Sequence, residues 1–119
     1  MKNFTELVAW QEGHRLALEI YSMTKDFPKE ELYGLVSQMR RAAVSVTSNI
    51  AEGFGRQSSK EKAQFYNLAA GSLTELQNQI YLARDLHFLN QSRFDDLISQ
   101  SVLTHKIVNG LMKHTRSDF

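Results

Sequence analysis

The sequence predicts an all-α protein, an antiparallel up-down-up-down four-helix bundle formed by a single domain over residues 1–119. Three observations carry this expectation. Four stretches repeat apolar residues at helical spacing, and the breaks between them are short. The chain also holds one proline and six glycines, too few for a fold of many short strands and turns. Hydrophobic residues make up 42%, enough to fill one core.

The first helix is expected from about Leu7 to Lys25. At about 100° per residue, Leu7, Trp10, His14, Ala17, Leu18, Tyr21 and Thr24 share a broad face expected to meet the core. Phe27-Pro28 ends it, because proline disfavours the helical conformation in the residue before it. The second helix is expected to start near Glu30, with a stripe of Leu32, Leu35, Val36, Met39, Ala42, Ala43, Val46 and Ile50. Gly53-Phe54-Gly55 is expected to close it with a left-handed residue. Ser58-Ser59-Lys60-Glu61 reads as a capping box that opens the third helix, whose stripe is Phe65, Ala69, Ser72, Leu76, Ile80 and Ala83. After a break at His87-Phe88-Leu89-Asn90, Ser92 is expected to cap the fourth helix, with Asp95 favouring its N-terminus. Phe94, Leu97, Ile98, Ser101, Val108 and Met112 then face inward. Connections this short make neighbouring helices antiparallel.

Apolar residues also lie off these stripes. Leu16, Ile20, Met23 and Phe27 widen the first helix's arc, Leu103 and Ile107 the fourth's, and Tyr81 lies opposite the third helix's core stripe. Several such residues on different helices predict a homo-oligomer.

Composition excludes several chemistries. There is no cysteine, so no disulfide framework, thiolate metal site or cysteine nucleophile. No Glu-x-x-His pair occurs, so a carboxylate-bridged metal bundle is not expected. His14 and His105 fall on apolar faces as core or rim histidines. No serine sits in a Gly-x-Ser-x-Gly elbow. Gly53-Phe54-Gly55-Arg56 follows a helix and lacks a third glycine, unlike a phosphate-binding loop. Neither catalytic residues, nor metal ligands, nor a cofactor site are expected. No apolar run reaches the roughly 18 residues of a membrane span, and Met1–Glu6 lead into charged helix without an apolar signal core. A cytoplasmic protein that does not enter the membrane is the expectation.

Net charge is +1, but it is uneven. Residues 36–62 carry Arg40, Arg41, Arg56, Lys60 and Lys62 against Glu52 and Glu61, and the C-terminal stretch adds Lys106, Lys113 and Arg116 against Asp118. The five cations of the middle segment are the candidate phosphate contacts. On the same segment Arg41, Ser45, Ser48 and Glu52 fall within a narrow arc nearly opposite the apolar stripe. The stripe is a solvated face or, because solvated faces usually carry long side chains whereas these serines are small, a subunit interface or a place where a phosphate chain approaches closely. Gly71, in mid-helix at a cost of about 1 kcal/mol against alanine, predicts close packing near Ala69-Ala70-Gly71-Ser72.

The order and spacing of several motifs carry a resemblance. They are Trp10-Gln11, Phe27-Pro28, Tyr33-Gly34-Leu35, Gln38-Met39-Arg40-Arg41-Ala42-Ala43, Ser48-Asn49-Ile50-Ala51-Glu52-Gly53 with Gly55-Arg56, and Gly71-Ser72-Leu73-x-Glu75-Leu76. Over nearly its whole length the chain resembles the four-helix-bundle proteins encoded by intervening sequences of bacterial 23S ribosomal RNA genes. The accessory protein of diversity-generating retroelements is a relative of that family. The resemblance implies a homopentameric ring without enzymatic activity. For the retroelement relatives it implies binding to nucleic acid and to a reverse transcriptase. The chain departs from the family pattern at Thr47, where many members carry proline, so any kink there should be weaker.

Two functions follow as expectations. One is a non-catalytic oligomer that binds nucleic acid, RNA foremost, through Arg40, Arg41, Arg56, Lys60 and Lys62. The other is a homo-oligomeric scaffold for another protein that touches no nucleic acid, with Arg41 and Glu52 paired between subunits.

Overall fold

The computed structural model describes residues 2–118. Four helices account for most of them: α1 (Val8–Thr24), α2 (Ser37–Phe54), α3 (Ser59–Asp85) and α4 (Gln91–Arg116). Each packs against its neighbours in sequence, and α4 closes the bundle against α1. The result is an elongated antiparallel bundle of 45 × 23 × 21 Å. Among the described residues no helix is long and apolar enough to cross a membrane.

Leu16 and Ile20 of α1, Met39, Val46 and Ile50 of α2, Leu73, Leu76 and Ile80 of α3, and Leu97 and Val108 of α4 are fully buried. The stripes expected for α2 and α4 meet the core, except that Leu32 is exposed and Leu35 and Ile98 are only partly buried. In α3 the deepest positions include Tyr66 and Leu73, beside Ala69, Leu76, Ile80 and Ala83, while Phe65 and Ser72 stay partly exposed. Ser101 and Thr104 are buried without penalty because their hydroxyls donate to the Ile98 and Gln100 carbonyls, each at 2.8 Å.

The expected core face of α1 holds only in part: Leu7, Ala17 and Thr24 are buried and Trp10 packs on the core, while Leu16, Ile20 and Phe27, expected beside the stripe, are buried as well. Its buried residues are Ala9, Gly13, Leu16, Ala17, Ile20 and Thr24, whereas His14, Leu18 and Tyr21 are exposed. Both arcs are apolar, so periodicity alone does not choose between them. Size does: Ala9, Gly13 and Ala17 let α1 settle close to α2. A Cβ on Gly13 would lie 3.2 Å from the Thr47 methyl and 3.4 Å from a Val46 methyl.

Helix boundaries differ in three places. Between α1 and α2 the chain forms a 3₁₀ turn at Lys29–Glu31 and a wide π turn at Leu32–Val36. A non-helical Gly34 (φ −110°, ψ −111°) interrupts the latter, so regular helix begins at Ser37 and not near Glu30. Asn90, not Ser92, caps α4: its side-chain oxygen accepts from the Arg93 amide at 2.8 Å. Gly53 is inside α2, and Gly55 at its end has φ −79°, so no left-handed glycine closes that helix. The left-handed stop occurs after α3 instead. There His87 (φ 64°) lets the Phe88 amide reach the Ala83 carbonyl and its own amide reach that of Arg84, both at 2.9 Å. The capping box at α3 is half formed. Ser58 Oγ accepts from the Glu61 amide at 3.1 Å, and the Glu61 carboxylate meets the serine hydroxyl, not its backbone amide. α2 runs unbroken through Thr47.

Candidate nucleic-acid interface

Each of the five nominated cations sits where a helix end or an outer face puts it, and the fold splits them into two groups. Arg40 and Arg41 lie in the first turn of α2. Arg56, Lys60 and Lys62 flank the α2–α3 turn, about 22 Å away along the helix axis at 1.5 Å per residue.

Three of the five are engaged within the chain. Arg40 is half-buried; its Nε donates to Thr24 Oγ1 at 3.0 Å and a terminal nitrogen to the Tyr21 carbonyl at 3.4 Å, with the guanidinium 4.7 Å from the Tyr21 ring centre. It therefore satisfies the C-terminal end of α1. Lys62 does the same for α2, its ammonium donating to the Phe54 carbonyl at 2.6 Å. Arg56 pairs with Glu52 at 3.0 Å and covers the Phe65 ring at 4.4 Å. An exposed pair of this kind adds little stability, but it occupies both charges. Arg41 and Lys60 are exposed and form no hydrogen bond or ion pair among the described residues.

The polar stripe is also divided. Ser48, Glu52 and Arg41 are exposed. Ser45 turns into the α2/α3 seam, where its hydroxyl lies 2.8 Å from that of Ser72 and 3.1 Å from the Asn49 amide nitrogen. Glu52 is held by Arg56, so within the chain it is not the partner of Arg41. The close packing expected at Gly71 is absent: a Cβ there would meet nothing within 4 Å. Gly53 has that role, since a Cβ on it would lie 2.7 Å from the Tyr66 ring and 3.0 Å from Phe65 Cβ. His14 stacks on Trp10 with ring centres 4.6 Å apart, and His105 Nδ1 lies 3.4 Å from Gln77 Nε2. Among the described residues no three His, Asp or Glu side chains gather as a metal site would require.

The antiparallel turn at the far end of α3 adds a feature that segment-by-segment reading of charge misses. It brings the C-terminal end of α4 beside the start of α3, so Arg116 lines a shallow pocket with Lys60, Gln64 and Asn67. Lys106 and Lys113 extend the exposed cations along α4. Residues 62–74 in α3 and 97–117, from α4 to its C-cap, contain no acidic residue. Of the acids on and next to these two helices, Glu61 in the first turn of α3 and Asp118 just past α4 sit at the Lys60–Arg116 end, and Glu75, Asp85, Asp95 and Asp96 lie toward the opposite end of the bundle. At that end Arg84 pairs with Asp85 and Arg93 with Asp26, both at 2.8 Å. The Arg84 hydrogen bond holds the Asp85 carboxyl below its ordinary range. Glu19, in the α1/α4 groove with Asp96, is pushed upward, first by desolvation and then by the Asp96 charge.

Comparison with known proteins places this arrangement in a family. Residues 5–110 match the family model described as the 23S rRNA-intervening sequence protein. The chain belongs to that family. The solved structure of a protein of unknown function from the S23 ribosomal protein family of Bacteroides thetaiotaomicron superposes with a TM-score of 0.83. It is 18% identical, over 89% of this chain and 99% of the other, a likeness that speaks for the fold. No curated protein matches. Membership of the 23S rRNA-intervening sequence protein family thus accounts for the four helices and leaves activity open.

Proposed function

We propose that the protein is a non-catalytic, self-assembling RNA-binding protein of the cytoplasm. The observation that carries the reading is the segregation of charge along the bundle. One end of the α3/α4 side holds exposed Lys60, Lys106, Lys113 and Arg116 with no acid in residues 62–74 or 97–117. Against the flanking Glu61 and Asp118 these four cations leave a net positive charge, which raises the local potential and attracts polyanions. Self-assembly, as a pentamer by the family resemblance, would repeat that patch and turn later contacts into intramolecular ones. Its support is the opposite side of the molecule, where Leu18 and Tyr21 of α1, Leu32 and Tyr33 of the π turn and Val44 of α2 are all exposed. Grouped apolar side chains of this kind mark protein contacts.

A scaffold that binds another protein and no nucleic acid is the second reading. It is favoured by the engagement of Arg40, Arg56 and Lys62 inside the fold. One pair of measurements separates the two. Light scattering coupled to size exclusion should give a mass well above the 13.7 kDa of one chain. A titration with structured RNA should show affinity that falls steeply with salt. An oligomer with no RNA affinity at low salt would favour the scaffold; a monomer would refute self-assembly.

A further inference from the structure

The composition of the α3/α4 face is informative beyond its charge. At about 100° per residue, Lys113 returns to within about 20° of Lys106 on α4, and Asn109 and Arg116 fall within about 80°. All four are exposed. On α3 the residues Lys60, Gln64, Asn67, Gly71 and Thr74 follow one another at helical spacing and are exposed too. Lys60, Gln64, Asn67 and Arg116 meet in one shallow pocket, so the two rows join into a single strip. From Lys106 to Arg116 it spans about 15 Å. Its four cations form no hydrogen bond or ion pair among the described residues.

What the strip lacks is equally defined. Residues 97–117 contain no Phe, Tyr or Trp. In residues 62–74 Tyr66 is buried and Phe65 is half-buried beneath Arg56. Unpaired bases are held by stacking on exposed rings; no Phe, Tyr or Trp is exposed between Lys60 and Thr74 or between Lys106 and Arg116, and the exposed His114 ring is turned about 80° from Lys106, to the side away from Asn109 and Arg116. Of the exposed tyrosines that could stack a base, Tyr21 of α1 and Tyr33 of the π turn line a different groove, and Tyr81, about 10 Å beyond Thr74 on the same row of α3, packs against Phe94 with the Arg84 guanidinium over its ring. An acidic protein partner would be expected to find apolar anchors at the centre of its contact. Of the exposed large apolar residues on these helices, Val102 and Leu103 lie beyond Lys106, Tyr81 and Leu82 lie toward the far end of α3, and Leu68 stands singly, turned about 100° from Asn67. What remains is ammonium and guanidinium groups for phosphates, with the short amides of Gln64, Asn67 and Asn109 between them. Amides of this type bond sugar hydroxyls and phosphate oxygens.

We infer that the α3/α4 face docks on the sugar–phosphate backbone of double-helical RNA, without reading its bases. This rests on the RNA-binding reading above and adds the surface and the form of the RNA. Lys60, Lys106, Lys113 and Arg116 neutralise phosphates, and Gln64, Asn67 and Asn109 bond 2′-hydroxyls across the shallow groove.

The test uses the full chain and fluorescence-detected salt titrations. The probes are a mixed-sequence RNA duplex, a second duplex of scrambled sequence, the matching DNA duplex, oligouridine and polyglutamate. The variant is Lys106→Gln/Lys113→Gln/Arg116→Gln, with glutamine chosen because glutamate in the last turn of α4 would oppose the helix dipole. Lys25→Gln/Lys29→Gln, exposed cations at the far end of the bundle, is the control, and circular dichroism checks that all fold. Wild type should bind both RNA duplexes equally and more tightly than oligouridine or DNA. The triple variant should lose roughly a hundredfold or more in affinity, and its log–log salt slope should fall by about 0.9 per lost contact. The control should match wild type. Tighter binding to oligouridine overturns the duplex assignment, and an equal hold on duplex DNA overturns the role of the amides. Unchanged duplex binding by the folded triple variant overturns the surface while leaving RNA binding standing. Wild type that binds polyglutamate and no RNA overturns both.

Discussion

Lys60 and Lys62 are two residues apart on α3, yet they belong to different regions of the molecule. Lys62 points into the α2/α3 seam and donates to the Phe54 carbonyl at 2.6 Å, while Lys60 stands outside beside Arg116. The contrast extends to their surroundings. In the seam Gly53 admits the Tyr66 ring, Ser45 meets Ser72, and Arg56 lies over Phe65. On the α3/α4 face Gly71 and Gly110 have nothing within 4 Å of a would-be Cβ. The same residue types thus hold helices together in one place and stand open to solvent in the other. Counting charges along the sequence cannot separate these roles, because a helix turns adjacent residues to different neighbours.

The glycines offer the largest test of that difference. Gly53→Ala should destabilise the protein by about 1–3 kcal/mol, since the new Cβ must displace an aromatic ring in a packed seam. Gly71→Ala and Gly110→Ala should each stabilise it by about 0.5–1 kcal/mol by removing glycine from a helix interior. Denaturant unfolding of the three variants reads both signs. A neutral Gly53→Ala would mean that the seam is looser than described.

The lysines give a smaller contrast. Lys62→Gln should cost about 1 kcal/mol, because the α2 carbonyls lose a charged donor at the negative end of the helix. Lys106→Gln should fall within about 0.5 kcal/mol of wild type, as exposed substitutions do. Equal losses in thermal unfolding would erase the distinction between the two regions.

How much of this was legible in the sequence depends on the kind of signal. Helical spacing located four helices, and the core positions of α2 and α4 follow from it almost without exception. It succeeded only in part on α1, where Ala17 and Thr24 are buried as expected but His14, Leu18 and Tyr21 are not, because two apolar arcs compete and the choice falls to the small residues Ala9, Gly13 and Ala17. It failed at Gly34, because an irregular turn leaves the apolar spacing intact. The candidate cations were found by counting a segment, and that count could not show that Arg40 and Lys62 complete helix ends. Nor could it join Lys60 to Arg116, which are brought together only by the α3–α4 turn. The acid-free runs at 62–74 and 97–117 were visible in the sequence and were the signal available for that face.

The smallest effect concerns acid groups in two further settings. The Glu19 carboxyl is raised in the folded state by desolvation and by Asp96, so its contribution favours folding when protonated and is lost as pH rises through its folded value. Glu19→Gln should therefore be at least as stable as wild type at neutral pH, the difference vanishing below about pH 4. The Asp85 carboxyl is lowered by Arg84, so its contribution is present at neutral pH and is lost as pH falls through its folded value. Asp85→Asn should show the opposite trend. Parallel pH profiles of unfolding for the two variants would contradict this assignment.

The central claim is that the cations of the α3/α4 face meet RNA while those elsewhere do not. Lysine footprinting with an amine-reactive label, read by mass spectrometry with and without an RNA duplex, tests it directly. Lys60, Lys106 and Lys113 should lose reactivity when the duplex is added, Lys25 and Lys29 should remain as reactive as before, and Lys62 should be slow to react in both states. Protection of Lys25 and Lys29 with Lys106 and Lys113 unchanged would contradict the account.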